Sequence, residues 1–151
     1  MEHTVATEPT PDERTMAMLA HILQLFSGFI APLIIYLVKR DSRFVGFHAL
    51  QALIWQAFYF VFGMLCMIVW FGVIFGSIAT HPASAASKGP PPTAFFILFG
   101  LFWLFWMGGW LLTLILSIVY GVKANHGEWA AYPIIGRWAR RLALQRTDSH
   151  L

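Results

Sequence analysis

Two groups of polar side chains lie inside otherwise apolar sequence, and these residues could do chemistry. His21 and Gln24 are three residues apart in the first apolar run, and His48, Gln51 and Gln56 open the second. Imidazole nitrogens can ligate haem iron or the magnesium of a chlorin, so the two histidines are candidate cofactor-binding residues. Zinc would need three or four convergent ligands, which the sequence lacks. We therefore predict hydrogen bonds across helices and no cofactor, with a chlorin or haem as the alternative.

The group that opens the second apolar run has helical spacing. His48 and Gln51 are three residues apart and share one side of a helix. At the headgroup level they could face water, lipid phosphate or the polar turn KRDSR. We predict that they tie the second span to this turn or to the corner at Lys123–Glu128, with a His48–Glu128 hydrogen bond as the specific case. A contact with a partner subunit and a ligand role remain open.

The sequence contains no motif typical of an enzyme. It has no H-E-x-x-H pair, no phosphate-binding glycine loop and no plausible serine triad. No Asp, Glu, Lys or Arg lies inside any predicted span, whereas proton-coupled pumps and transporters usually need one there. We therefore predict a non-enzymatic protein.

The composition indicates that lipid is part of the solvent. The chain is 58% hydrophobic and 11% charged, whereas a soluble domain has about a quarter charged residues. Three apolar runs are long enough to cross a bilayer: residues 16–38, 44–79 and 94–122. Because the second run is too long for one untilted span, we predict that residues 44–52 lie near the interface and that the span covers residues 53–79. The predicted fold is an all-α integral membrane protein with three transmembrane helices plus interfacial helices. Gly28 and Pro32 predict a kink in the first span, and a re-entrant segment remains open.

The charges predict three regions and an orientation. Residues 1–15 form an acidic polar leader, residues 16–128 the three-helix membrane domain and residues 129–151 a basic tail. Eight of the ten Lys and Arg residues lie in the KRDSR turn or from Lys123 onwards, and only Arg14 and Lys88 lie in the leader and the proline-containing loop. Positive residues favour the cytoplasmic side. We predict an inner-membrane protein with its N-terminus outside and its C-terminus cytoplasmic.

The tail has the pattern of an interfacial amphipathic helix. At 100° per residue its apolar residues share one side, opposite a basic side formed by Arg137, Arg140 and Arg141. Basic residues near a cytoplasmic leaflet are attracted by anionic lipid. We therefore predict that these arginines face anionic lipids, and we expect no nucleic-acid partner.

Two features predict contacts with other helices. Gly72 and Gly76 form a small-xxx-small pair, which lets helices approach closely. The third span is crowded with phenylalanine and tryptophan, which give large packing surfaces. We predict other membrane protein subunits as partners.

Two segments together resemble a known family. They are "MAMLAHILQLFSGFIAPLIIYLVKRDSRFVGFHALQALIWQ" and "KANHGEWAAYPIIGRW". They resemble a widespread bacterial family of small membrane proteins of unknown function that is similar to Tic-twenty, a membrane component of chloroplast protein import. The matching positions are His21, Pro32, Lys39, Phe44, His48, Gln51, Ala52, Lys123, Asn125, Gly127, Glu128, Tyr132 and Pro133. The resemblance implies a small helical membrane fold without known catalytic residues.

Three functions remain open. The leading one is an accessory or scaffold subunit that packs in a larger membrane complex. The second, from the resemblance, is a translocation or insertion component, which predicts a hydrophilic cavity lined by Gln24, His48, Gln51 or Gln56. The third is a pigment- or haem-binding subunit that uses His21 or His48.

Overall fold

The structure is a computed structural model and describes residues 8–80, 93–133 and 135–145. The described residues form five helices and no strand: α1 Pro11–Ser27, α2 Ile30–Val38, α3 Arg43–Thr80, α4 Thr93–Asn125 and α5 Gly136–Gln145. The predicted all-α class is confirmed.

The first apolar run forms two helices instead of one kinked span. Gly28 has φ 59°, a left-handed conformation that suits glycine, and its N–H closes α1 by donating to Gln24 O. Pro32 lies in the first turn of α2, where its missing N–H costs nothing. Thr10 caps the other end of α1 in a reciprocal hydrogen-bond pair with Glu13. The position of the distortion was predicted, but it is a complete break.

The start of α1 lies beside the KRDSR turn, so the prediction of three transmembrane helices is wrong. Asp12 forms an ion pair with Lys39, and Ser42 Oγ donates to Glu13 Oε1 at 2.6 Å. The hydrogen bond from Ser42 lowers the pKa of the Glu13 carboxyl. Because both ends of the α1–α2 segment meet, this segment is a helical hairpin and not a single span. It also brings the end of the leader next to the turn.

Two helices are long and apolar enough to cross a membrane. They cover residues 43–76 of α3 and 95–125 of α4. With 38 and 33 residues, α3 and α4 are about 57 Å and 50 Å long, and each exceeds a hydrocarbon core of about 30 Å. The segment before residue 53, which we predicted to lie separately at the interface, is the start of α3. α4 ends at Asn125, and Gly127 follows it with φ 80°.

The chain divides into two compact units. Unit 1 comprises residues 1–57 and 113–151, and unit 2 comprises residues 58–112. Unit 1 contains α1, α2, α5 and one end each of α3 and α4, and its core includes the small residues Ala17, Ala20, Ala49 and Ala124. Unit 2 consists of the other ends of α3 and α4 and is built from aromatic rings. The polar residues singled out by the sequence analysis lie mostly in unit 1.

Candidate functional site

The two histidines meet inside unit 1. His21, in the middle of α1, places its Nε2 atom 3.0 Å from Nδ1 of His48, in the second turn of α3. The other nitrogen of His48 lies 3.1 Å from the backbone carbonyl oxygen of Glu128, and the other nitrogen of His21 lies 2.9 Å from the Tyr132 hydroxyl. A single row of hydrogen bonds therefore connects α1, α3 and the segment after α4.

The direction of every bond in this row follows from its last acceptor. A carbonyl oxygen can only accept, so Nε2 of His48 carries the hydrogen and, in the neutral ring, Nδ1 accepts. Nε2 of His21 must then donate to His48, which leaves Nδ1 of His21 to accept from the Tyr132 hydroxyl. Both neutral rings consequently have the hydrogen on Nε2. The row from Tyr132 to Glu128 points in one direction throughout.

Gln24 begins the row on the other side of Tyr132. Its Nε2 atom donates to Ser117 Oγ at 2.8 Å and to the Tyr132 oxygen at 3.3 Å. This orientation of the amide is consistent with the direction of the row, because the Tyr132 hydroxyl donates its hydrogen to His21 and its oxygen can accept from Gln24. The remaining amide oxygen of Gln24 is buried without a partner among the described residues.

Two further glutamines attach the surrounding backbone to this row. Gln51 Nε2 donates to the carbonyl of Ala130 at 3.2 Å, and its Oε1 accepts from the N–H of Tyr132 at 2.6 Å. Gln56 Nε2 donates to the backbone carbonyl of Gln24 at 3.0 Å. The Gln51 side chain thus pairs with an irregular backbone segment much as a neighbouring strand would, which holds Tyr132 in place.

The site is buried among apolar rings, so a charge on any of its side chains would be energetically costly. His21, His48 and Gln51 have no exposed surface, and Phe44 and Phe47 pack against the His48 ring with centroids 4.7 and 5.1 Å away. Burial, with a smaller contribution from the neighbouring His48 ring, lowers the pKa of His21 well below its ordinary value. Burial likewise raises the pKa of the Tyr132 hydroxyl. The cluster is therefore neutral at pH 7.

This arrangement suits a structural role. Both nitrogens of both rings already have partners, so neither histidine has a nitrogen free to ligate haem iron or a chlorin. No group of three or more potential metal ligands occurs in the described part of the chain. Gln24, His48, Gln51 and Gln56 are buried and bonded to protein, so they do not line the hydrophilic cavity expected of a translocation component.

The structure corrects several site predictions. His21 and His48, which lie in two separate predicted spans, are in direct contact because the first apolar run is a hairpin. His48 and Gln51, expected at the headgroup level, are fully buried. His48 does bond to Glu128, but its partner is the backbone carbonyl of Glu128. The Glu128 residue itself is exposed. Tyr132, which links His21 to Gln24, was not among the predicted site residues.

The remaining predicted residues lie outside this cluster. A Cβ added to Gly72 or Gly76 would meet no atom within 4 Å, so close helix packing at this pair is not seen among the described residues. Arg137, Arg140 and Arg141 are exposed on α5, while Ile135 and Ala139 are buried. Trp138, predicted on the apolar side, is 64% exposed.

Comparison with known proteins identifies a family. The sequence model described as the magnetosome magnetite crystal formation protein family (MamF/MmsF) matches residues 12–139, which include α2, α3, α4, all of α1 except Pro11 and the first four residues of α5. No match was found among curated proteins or solved structures. The match supports the small bacterial membrane family that the motifs predicted, but not its similarity to Tic-twenty. The chain belongs to the magnetosome magnetite crystal formation protein family.

Proposed function

We propose that the chain is a non-enzymatic integral membrane protein that supports magnetite crystal formation as an accessory component of the magnetosome membrane. The observation that carries the proposal is the closed hydrogen-bond row in unit 1. Its imidazoles and its phenol are neutral and engaged with one another, so they stabilise a fold instead of presenting a reactive group. The family match supplies the link to crystal formation.

Exposed apolar surface supports the membrane location. Large side chains of unit 2 are exposed along both helices, among them Phe58, Ile68, Phe75, Phe96 and Leu104. Soluble proteins rarely expose contiguous apolar surface on this scale. The hairpin carries the same signal near its tip, where Phe26 is 85% exposed. In the proposed arrangement α3 and α4 cross the bilayer, and the hairpin tip enters it from one side.

A revised orientation follows from the hairpin. Since the start of α1 lies beside the KRDSR turn, both belong to the side that α4 returns to after α3 has crossed. All eight Lys and Arg residues that the structure describes then lie on that side. This distribution fits the positive-inside pattern better than the predicted three spans did. The proposed topology has two spans, with α1 and the tail both facing the cytoplasm.

Packing with other membrane subunits is part of the proposal. Phe96, Trp103 and Trp110 are each about half exposed on α4, and exposed aromatic residues provide large contact areas at interfaces. Purification in mild detergent should recover the chain with other membrane proteins. Recovery as a lone monomer would contradict this part.

The functional test is deletion and complementation in a magnetite-forming bacterium whose own gene is this one. Electron microscopy of the deletion strain should show crystals of altered size or shape, and the wild-type gene should restore them. His48→Ala, which breaks the row, should fail to restore them, whereas the exposed substitution Ile68→Ala should succeed. Unaltered crystals in the deletion strain, or recovery of the chain in the soluble fraction, would contradict the proposal.

A further inference from the structure

The tail helix α5 has two kinds of arginine. The guanidinium of Arg140 lies 5.9 Å from the centroid of the Phe47 ring, a cation–π distance, so Arg140 binds the protein itself. Arg137 and Arg141 are exposed, and neither forms an ion pair with any residue that the structure describes. Since residues 136–145 contain no acidic residue, these two cations face outward without local neutralisation.

A tryptophan accompanies the two outward arginines. Trp138 is 64% exposed and lies three residues before Arg141, hence on the same side of the helix. An indole combines a large apolar ring with one N–H donor, and tryptophan is enriched where apolar and polar surroundings meet. In bulk water this exposed ring would have no favourable partner. Together with the two arginines, this ring is suited to the depth in a bilayer where lipid carbonyls and phosphates lie.

The position of α5 places this surface at the level of the membrane interface. Buried Ile135 and Ala139 hold α5 against the rest of unit 1. Arg140 lies over the ring of Phe47, which is in the second turn of α3. α3 is the more hydropathic of the two candidate spans, and its first residue is the cationic Arg43. If α3 crosses the bilayer, as the proposed function requires, its first turns and α5 lie at the headgroups.

We propose that Arg137, Trp138 and Arg141 form a binding surface for anionic phospholipid headgroups. The planar guanidinium groups donate paired hydrogen bonds to lipid phosphate, and the Trp138 ring lies at the boundary with the acyl chains. Arg140 is excluded from this surface because it contacts Phe47. The partner is a lipid and not an acidic protein, because an exposed indole at this level suits the bilayer boundary.

The experiment uses the full chain in dodecyl maltoside micelles, titrated with phosphatidylglycerol or with phosphatidylcholine and followed by native mass spectrometry. The wild-type chain should retain phosphatidylglycerol in preference to phosphatidylcholine. Arg137→Gln and Arg141→Gln should each weaken that binding by roughly a factor of five, and together by roughly thirtyfold, because each basic residue near an anionic surface contributes about this factor. Trp138→Ala should weaken the binding of both lipids.

Arg140→Gln is the matched control, since it removes the same charge from the same helix. It should lower the thermal unfolding temperature and leave phosphatidylglycerol binding unchanged. Equal losses from Arg140→Gln and Arg141→Gln would overturn the proposal, because binding would then follow net charge alone. Displacement of the lipid by polyglutamate would also overturn it, in favour of an acidic protein partner.

A separate measurement distinguishes failure of the lipid-binding surface from failure of the proposed function. Extraction of membranes with alkaline carbonate should leave the wild-type chain and all these variants in the pellet. A chain that stays in the pellet but shows no preference for phosphatidylglycerol refutes the lipid surface only. A chain that carbonate releases refutes the transmembrane arrangement on which both proposals depend.

Discussion

Units 1 and 2 use the same two helices but satisfy their buried groups in opposite ways. In unit 1, α3 and α4 contribute the polar side chains of His48, Gln51 and Ser117, which bond to side chains of α1 or to the backbone after α4. In unit 2 they contribute stacked rings, such as Trp70 on Phe102 at 5.3 Å. There the indole nitrogens of Trp70 and Trp106 are buried without a hydrogen-bond partner among the described residues.

The difference shows how each unit specifies its structure. A directional hydrogen-bond row in an apolar enclosure is satisfied by one arrangement only, so unit 1 has a fixed register between hairpin, helices and tail. Ring packing in unit 2 is governed by shape, and it leaves an apolar groove of about 330 Å³ lined by residues such as Cys66, Trp70 and Phe102. We infer that unit 1 is the rigid part of the protein and that unit 2 adapts to lipid or partner helices.

The largest expected effect comes from cutting the row in unit 1. His48→Ala leaves the Glu128 carbonyl and the His21 N–H without partners and also creates a cavity. Each buried group left unpaired costs about 1–3 kcal/mol, so the two groups predict a loss of about 2–6 kcal/mol in the free energy of unfolding. Equilibrium unfolding in detergent measures it.

The control for this substitution lies on the same helix in unit 2. Ile68→Ala removes a comparable volume from an exposed side chain, and it should change the free energy of unfolding by less than about 0.5 kcal/mol. If both substitutions cost the same, the contrast between the two units is false.

Unit 2 has its own sensitive position at neighbouring glycines. A Cβ on Gly109 would lie 2.3 Å from Cε2 of Tyr59, so Gly109→Ala must displace that ring and its hydrogen bond to the Trp106 carbonyl. We expect a loss of about 1–3 kcal/mol, the usual cost of overpacking. Gly108→Ala meets no atom within 4 Å and should be neutral or stabilising, because alanine favours helix. Thermal unfolding of the two variants side by side decides whether shape governs unit 2, and equal effects would contradict it.

Acid should weaken unit 1 before unit 2. Because burial lowers the pKa of His21, the unfolded chain takes up a proton near pH 6.5 while the folded chain does not. Stability is therefore complete above about pH 6.5 and falls below it, at up to about 1.4 kcal/mol per pH unit. Hydrogen exchange at pH 5.5 should show lost protection in the α1–α2 hairpin, while the unit 2 segments of α3 and α4 remain protected.

Two histidine variants check the source of this acid sensitivity. His21→Gln should reduce the difference in unfolding temperature between pH 7.5 and pH 5.5, whereas exposed His126→Gln should leave it unchanged. A uniform loss of protection across both units, or an equal effect of the two variants, would show that the row is not the acid-sensitive element.

Local patterns predicted the elements of this fold well. The long apolar runs predicted α3 and α4, and Gly28 with Pro32 predicted the position of the distortion between α1 and α2. Whether a distorted apolar run crosses a bilayer or folds back is decided by contacts at its ends, here Asp12 with Lys39 and Glu13 with Ser42. Those contacts join residues 27 and 29 positions apart, and no local periodicity contains them.

The site was predicted by residue type but not by partner. Polar side chains in apolar sequence predicted hydrogen bonds, and His21, Gln24, His48 and Gln51 each form at least one. Tyr132 was only a matching position of the family resemblance, and no contact was predicted for it. Its contacts with Gln24 and His21 join residues more than a hundred positions apart, which only the fold brings together.

The protonation state of the two buried histidines, measured by nitrogen-15 NMR of the full chain labelled at histidine, tests the directional row most directly. At pH 7 we expect His21 and His48 both to be neutral, with a hydrogen on Nε2 and none on Nδ1. We also expect a coupling across the hydrogen bond from His21 Nε2 to His48 Nδ1, which are 3.0 Å apart. A charged imidazolium, or a hydrogen on Nδ1 of either ring, would contradict the directional row on which the structural role of unit 1 depends.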